Sequence, residues 1–131
     1  MLEMKVEADG LAEALERIET EAASHGLSDA ARYRIRLLAE EIMSNVLRHA
    51  DFGNHPPGLF IRLDIDREGK ARMCFRDRAA KFNPLTHPDP DLDRPLYRRK
   101  PGGLGIYLLK QLAEEVHYRY EKGHNILELS L

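Results

Sequence analysis

The 131 residues, 43% hydrophobic and 32% charged, suffice for one globular domain with a real core and are too few for two. A net charge of -2 and a pI near 6.3 leave no electrostatic footprint for direct binding of nucleic acid or an anionic membrane. No stretch approaches the roughly 18 consecutive apolar residues of a membrane span, MLEMKVEADG lacks a signal pattern, and the one cysteine, Cys74, excludes an internal disulfide, so a cytoplasmic protein is expected.

In chain order, Leu2, Met4 and Val6 alternate with Glu3, Lys5 and Glu7, the pattern of a half-buried strand. Leu11, Leu15, Ile18 and Ala22 predict an amphipathic helix that Gly26 can end. Ser28 is an N-cap for a second helix over 29–50. On it Ile35, Leu38, Ala39, Ile42 and Val46 share a face, Glu41 and Asn45 stand one turn apart on the edge of that face, and Glu40 points nearly the opposite way. Residues 51–58 are dense in turn formers. Alternation over 59–65 and 71–76 then predicts a hairpin turned by residues 66–70. From 77 to 101 the pattern disappears and five of the seven prolines appear, ending in Arg98-Arg99-Lys100; connections this long are often lids or binding segments. Leu104, Leu108 and Leu112 mark a third helix. Val116, Tyr118 and Tyr120, then Leu127, Leu129 and Leu131, predict two last strands, with both tyrosines packed in the sheet. The expected architecture is α/β (α+β), a two-layer sandwich of a mostly antiparallel sheet with helices on one face.

Three stretches can carry chemistry. A carboxylate and an amide at i and i+4 beside an apolar stripe, as Glu41 and Asn45 are, either sit in water or face a cavity that holds something polar. Gly102-Gly103-Leu104-Gly105 leads directly into a helix, where bare backbone, free N–H groups and the positive dipole end favour phosphate. It lacks the Lys-Ser/Thr ending of a Walker A loop and does not follow a strand at Rossmann spacing. Asp77, at a strand end, can accept a hydrogen bond from an exocyclic amine, or simply form a turn. Cys74 shares a strand face with Arg72 and Arg76, which could lower its pKa. The six histidines show no helical i, i+4 pair of the kind that holds a metal.

Taken in order, Glu41-x-x-x-Asn45, Asp77 with Phe82-Asn83-Pro84, a long loop and Gly102-Gly-Leu-Gly105-Ile106 resemble the GHKL superfamily of ATPases and kinases. Within it the chain looks like the small stand-alone anti-sigma factor serine kinases. Arg48-His49-Ala50, Glu115-Val116 and Gly123-x-Asn125 add to that likeness, which covers nearly the whole chain. The resemblance implies one histidine kinase-like domain over 1–131 with the Bergerat-type ATP-binding fold, and ATP with Mg2+ as its cofactors. It implies that Asn45 holds the metal, that Glu41 is the general base and that Asp77 binds the adenine amine. Ala79, Gly102, Gly103, Leu104 and Gly105 would complete the nucleotide contacts. It also implies binding of a sigma factor and phosphorylation of a serine or threonine on a small antagonist protein, and it allows a homodimer.

Chemistry on the residues agrees. Magnesium prefers oxygen ligands, and an amide supplies one without adding charge beside phosphates. A placed base contributes about 10²–10⁴-fold to proton removal, and Arg98, Arg99 or Lys100 could steady charge on a transferring phosphoryl group. One departure stands out: the family pattern Asp-x-Gly reads Asp77-Arg78-Ala79. If a left-handed conformation is needed there, alanine costs about 1–2 kcal/mol, and weakened nucleotide binding is expected. The alternatives are a nucleotide-gated interaction domain that transfers no phosphate, and a degenerate interaction module without a ligand.

Overall fold

A computed structural model describes residues 1–86 and 103–131, apart from the side chains of 103–105. Gly102, most of the long connection and Arg98-Arg99-Lys100 lie outside the described residues. The order is β1 (Leu2–Glu7), α1 (Leu11–Ser24), α2 (Asp29–His49), β2 (Gly58–Ile65), β3 (Ala71–Asp77), a short 3-10 turn (Pro84–Thr86), α3 (Gly103–Leu112), β4 (Glu115–Glu121) and β5 (His124–Ser130). The five strands form one sheet in the order β1-β2-β3-β5-β4, and every pairing is antiparallel. The last strand therefore fills an interior place between β3 and β4.

Local chemistry explains the element ends. Ser28 caps α2, its Oγ accepting from the Ala31 N–H at 3.2 Å. Gly26 follows α1 with φ +68, a conformation that costs glycine nothing. Asp66 Oδ1 accepts from the N–H groups of Glu68 and Lys70, both at 2.9 Å, and so shapes the β2–β3 turn. No helix among the described residues is long and apolar enough to cross a membrane.

All three helices lie on one face of the sheet, α2 between α1 and α3. Ile18, Ile35, Leu38 and Met43 from the helices meet Ile61, Leu63, Met73 and Phe75 from the strands, all buried. The register lays this inner face out in rows. Leu2, Leu63, Met73, Leu129 and Val116 form one; Met4, Ile61, Phe75, Leu127 and Tyr118 form the next. The third begins Val6, Leu59 and continues Asp77, Asn125, Tyr120. The covered face thus turns polar at one end of β3, β5 and β4.

On α3, Ile106 and Leu109 are the buried positions, and Leu108 and Leu112 are half-buried. Two sequence expectations need correction. Tyr120 is 43% exposed rather than packed, because its row runs out at the end of the edge strand. The Cys74 thiol is pushed up rather than down: burial is the largest cause, and the Glu128 carboxylate opposite it on β5 adds to burial against the nearby arginines.

Candidate functional site

A cavity of about 450 Å³ opens where the polar row meets the helices. Its size is that of a small-molecule pocket. Ile42, Asn45, Val46 and His49 of α2 form one wall, and Ile106 and Leu109 of α3 another. Phe75, Leu127 and Tyr118 make the floor, and the segment from Asp77 to Pro84 closes the far end. That segment is tied to the end of α2, since the Ala80 N–H donates to the Asp51 carbonyl at 2.7 Å.

Asn45 and Asp77, distant in sequence, both line this cavity. Asn45 is half-buried, and among the described residues its amide has no protein hydrogen-bond partner. A polar group held at an apolar wall without a partner is suited to a polar ligand, so the site fits a hydrated magnesium ion, which takes few protein ligands beside phosphate and water. No cluster of three His, Cys, Asp or Glu able to hold a metal by itself occurs among the described residues. Glu41 stands one turn before Asn45 on the same row of α2, about 6 Å along the axis. It is half-buried, as Glu40 is, and is not part of the cavity wall.

Asp77 ends β3 and folds its carboxylate back on the turn. Its Oδ1 accepts from the Ala79 N–H at 2.9 Å and from Asn125 Nδ2 at 3.0 Å. Ala79 is 3% exposed, its methyl group set in the cavity wall. It does not adopt positive φ: among the described non-glycine residues only Lys122 does. The expected left-handed strain is therefore absent, and the Asp-x-Ala turn closes with alanine in ordinary backbone geometry.

Sequence reasoning missed Asn125 as a site residue. Its Nδ2 also donates to the carbonyls of Ala79 and Ala80, both at 3.1 Å, and its Oδ1 accepts from the Phe82 N–H at 3.0 Å and the Tyr118 hydroxyl at 2.6 Å. Burial raises the Tyr118 phenol pKa; the Phe82 N–H opposes this, and the Asp77 charge adds to it. Asn125 stands just ahead of Ile-Leu-Glu-Leu in β5, a polar position that by itself does not tell what lies opposite. Lys81 and the exposed Phe82 also line the cavity, and the Lys81 ammonium sits 5.7 Å from the Tyr120 ring centre.

Asp77, Asp51 and the last turn of α2 line the cavity, and their carboxylates and free carbonyls favour hydrogen-bond donors. Ile106, in the first turn of α3, lines it as well, which brings the positive end of that helix near. Gly103, Leu104 and Gly105 lie in this first turn, as part of the helix itself.

The sequence pattern of the histidine kinase-like ATPase domain matches residues 4–131. The chain is 29% identical over 129 residues to the serine/threonine-protein kinase BtrW of Bordetella bronchiseptica, covering 98% of this chain and 90% of that one. Among solved structures it overlays the RsbU and RsbW domains of Rv1364c from Mycobacterium tuberculosis with a TM-score of 0.67 at 12% identity, over 99% of this chain and 32% of that chain. The blue-light activated histidine kinase EL346 of Erythrobacter litoralis gives 0.55 at 18%, over 92% and 41%. The chain thus spans less than half the length of these two proteins, and the likeness to them is one of fold. With the pattern matched along nearly its whole length and the fold in agreement, the chain belongs to the histidine kinase-like ATPase domain family.

Proposed function

We propose that residues 1–131 act as one nucleotide-binding unit and that this unit is a serine/threonine protein kinase of the anti-sigma factor type, using magnesium ATP. The observation that carries the reading is the convergence of Asn45 and Asp77, distant in sequence, on one cavity of a size that suits a small-molecule ligand. Asp77 would accept from the adenine amine, and the apolar floor of Phe75 and Leu127 would cover the ring. Asn45 would hold the magnesium ion, which when bound offsets charge on the phosphates. Phosphates leading from Asp77 past Asn45 toward the start of α3 would come within reach of Glu41, placed to take the proton of an incoming hydroxyl. A serine or threonine on a small antagonist protein is the acceptor this reading calls for, and a sigma factor is the second partner. The kinase name of the relative from Bordetella bronchiseptica supports phosphotransfer to protein.

One observation favours a second reading. Glu41 lies outside the cavity wall, and a domain whose base does not reach the nucleotide would bind ATP and a partner without transferring phosphate. Incubation with labelled ATP, magnesium and a candidate antagonist protein decides between them: label on the antagonist that disappears with Glu41→Ala supports the kinase, and binding without label supports the gated interaction domain. For the ligand-free module, left-handed strain at Ala79 is removed as a motive, while the methyl group that Ala79 sets in the cavity wall remains one.

A further inference from the structure

Asn125 lines the cavity and yet has nothing to offer a ligand. It is 7% exposed, and a side-chain amide has two donor hydrogens and two acceptor lone pairs. Here Nδ2 faces three acceptors, Asp77 Oδ1, Ala79 O and Ala80 O, and Oδ1 faces two donors, the Phe82 N–H and the Tyr118 hydroxyl. Reversing the amide would set its oxygen against three acceptors and its NH2 against two donors. Its orientation is therefore fixed, and its capacity is spent inside the protein.

This constraint passes to Asp77. Asn125 Nδ2 and the Ala79 N–H both point at Oδ1, so that oxygen must be an acceptor and Oδ2 is the atom left for a ligand. We propose that Asn125 is a positioning residue for base recognition: by pinning one terminus of the residue 77 side chain, it dictates which hydrogen-bond character the other terminus shows to the cavity. With aspartate the exposed terminus is an acceptor, matched to a purine amino group. With asparagine at 77, the two inward donors would still demand oxygen at the pinned terminus, and the NH2 would be driven outward. The site would then present a donor, matched to a purine carbonyl.

The inference rests on the nucleotide reading above, and the test separates the two. Wild type, Asp77→Asn and the double variant Asp77→Asn/Asn125→Ala are titrated calorimetrically with magnesium ATP and magnesium inosine triphosphate, which carries an oxygen where ATP carries the amino group. Wild type should prefer ATP. Asp77→Asn should reverse the preference, to about ten- to hundredfold in favour of inosine triphosphate, the penalty range of one mismatched buried hydrogen bond. In the double variant only the Ala79 N–H still holds the residue 77 terminus, and the preference should fall at least about fivefold back toward parity, as expected for loss of one of the two fixing hydrogen bonds. A merely structural role for Asn125 would weaken both nucleotides alike and leave the double variant with the same preference ratio as Asp77→Asn, which would overturn the inference. If folded Asp77→Asn, verified by its melting curve, binds inosine triphosphate no better than ATP, the inference is overturned while the nucleotide reading stands. If wild type binds neither, the nucleotide reading falls and takes the inference with it. Where that double variant fails to fold, Asp77→Asn/Asn125→Leu, which keeps the side-chain shape and removes the donor, takes its place.

Discussion

At the scale of single residues, the proposed nucleotide site divides into groups that would face the ligand and groups that hold those in place. Asn45 would be of the first kind, and Asn45→Ala is expected to remove magnesium-dependent nucleotide binding, read by titration with and without the metal. Glu41→Ala should leave binding intact and lower phosphotransfer by about 10²–10⁴-fold; damage from Glu40→Ala with a silent Glu41→Ala would reverse the assignment of the base. Tyr118 belongs to the second kind. Its phenol pKa is raised in the fold above the ordinary value of about 10, chiefly by burial. The neutral form is therefore the one the fold favours, and its contribution is complete below the unfolded value and is lost as pH rises through the folded one. Urea titrations at neutral pH and above about pH 10 should show a steeper alkaline loss of stability for wild type than for Tyr118→Phe; equal slopes would contradict it. Asn45 and Asp77 were legible in the sequence because each is polar at a position where packing alone would prefer hydrocarbon or a plain turn. Asn125 was not, because its value comes from lying opposite Asp77 across two strands, and strand register is not written in either strand alone.

Among elements, periodicity was a good guide wherever one face of an element is buried and the other wet. β1, α1, α2 and the β2–β3 hairpin follow their patterns closely, and Ser28 caps α2 as its position suggests. Ser28→Ala should cost about 1 kcal/mol, visible as a lower midpoint in urea denaturation. α3 shows where the guide fails. Apolar residues occur all round it, so the sequence alone does not choose the buried stripe, and packing against α2 and the core sets Ile106 and Leu109 inside, with Leu108 half-buried. Leu109→Ala is accordingly expected to destabilise by about 2–5 kcal/mol, the range for a buried leucine, and Leu108→Ala by clearly less. The same denaturation experiment compares the two.

For the whole molecule, the fold class could be read in the sequence, but the strand order could not. A final hairpin added at an edge would satisfy the same alternation as β5 inserted beside β3. The insertion matters because it places Asn125 beside Asp77 and builds the cavity floor from β3, β5 and β4 together. Ligand and fold are thereby coupled: magnesium ATP at about 100 times its Kd should raise stability by about 2.7 kcal/mol, measured as an upward shift in melting temperature that magnesium chelation reverses. Denaturation curves that superimpose with and without the nucleotide would remove that coupling.

The interior place of β5 also bears on synthesis. Until residues 124–130 have left the ribosome, β3 has an unpaired edge, β4 has no neighbour and Asp77 has no Asn125 to steady it. A nascent chain at that stage should be unable to retain nucleotide, so competence would arrive in one step, when β5 pairs, rather than grow with length.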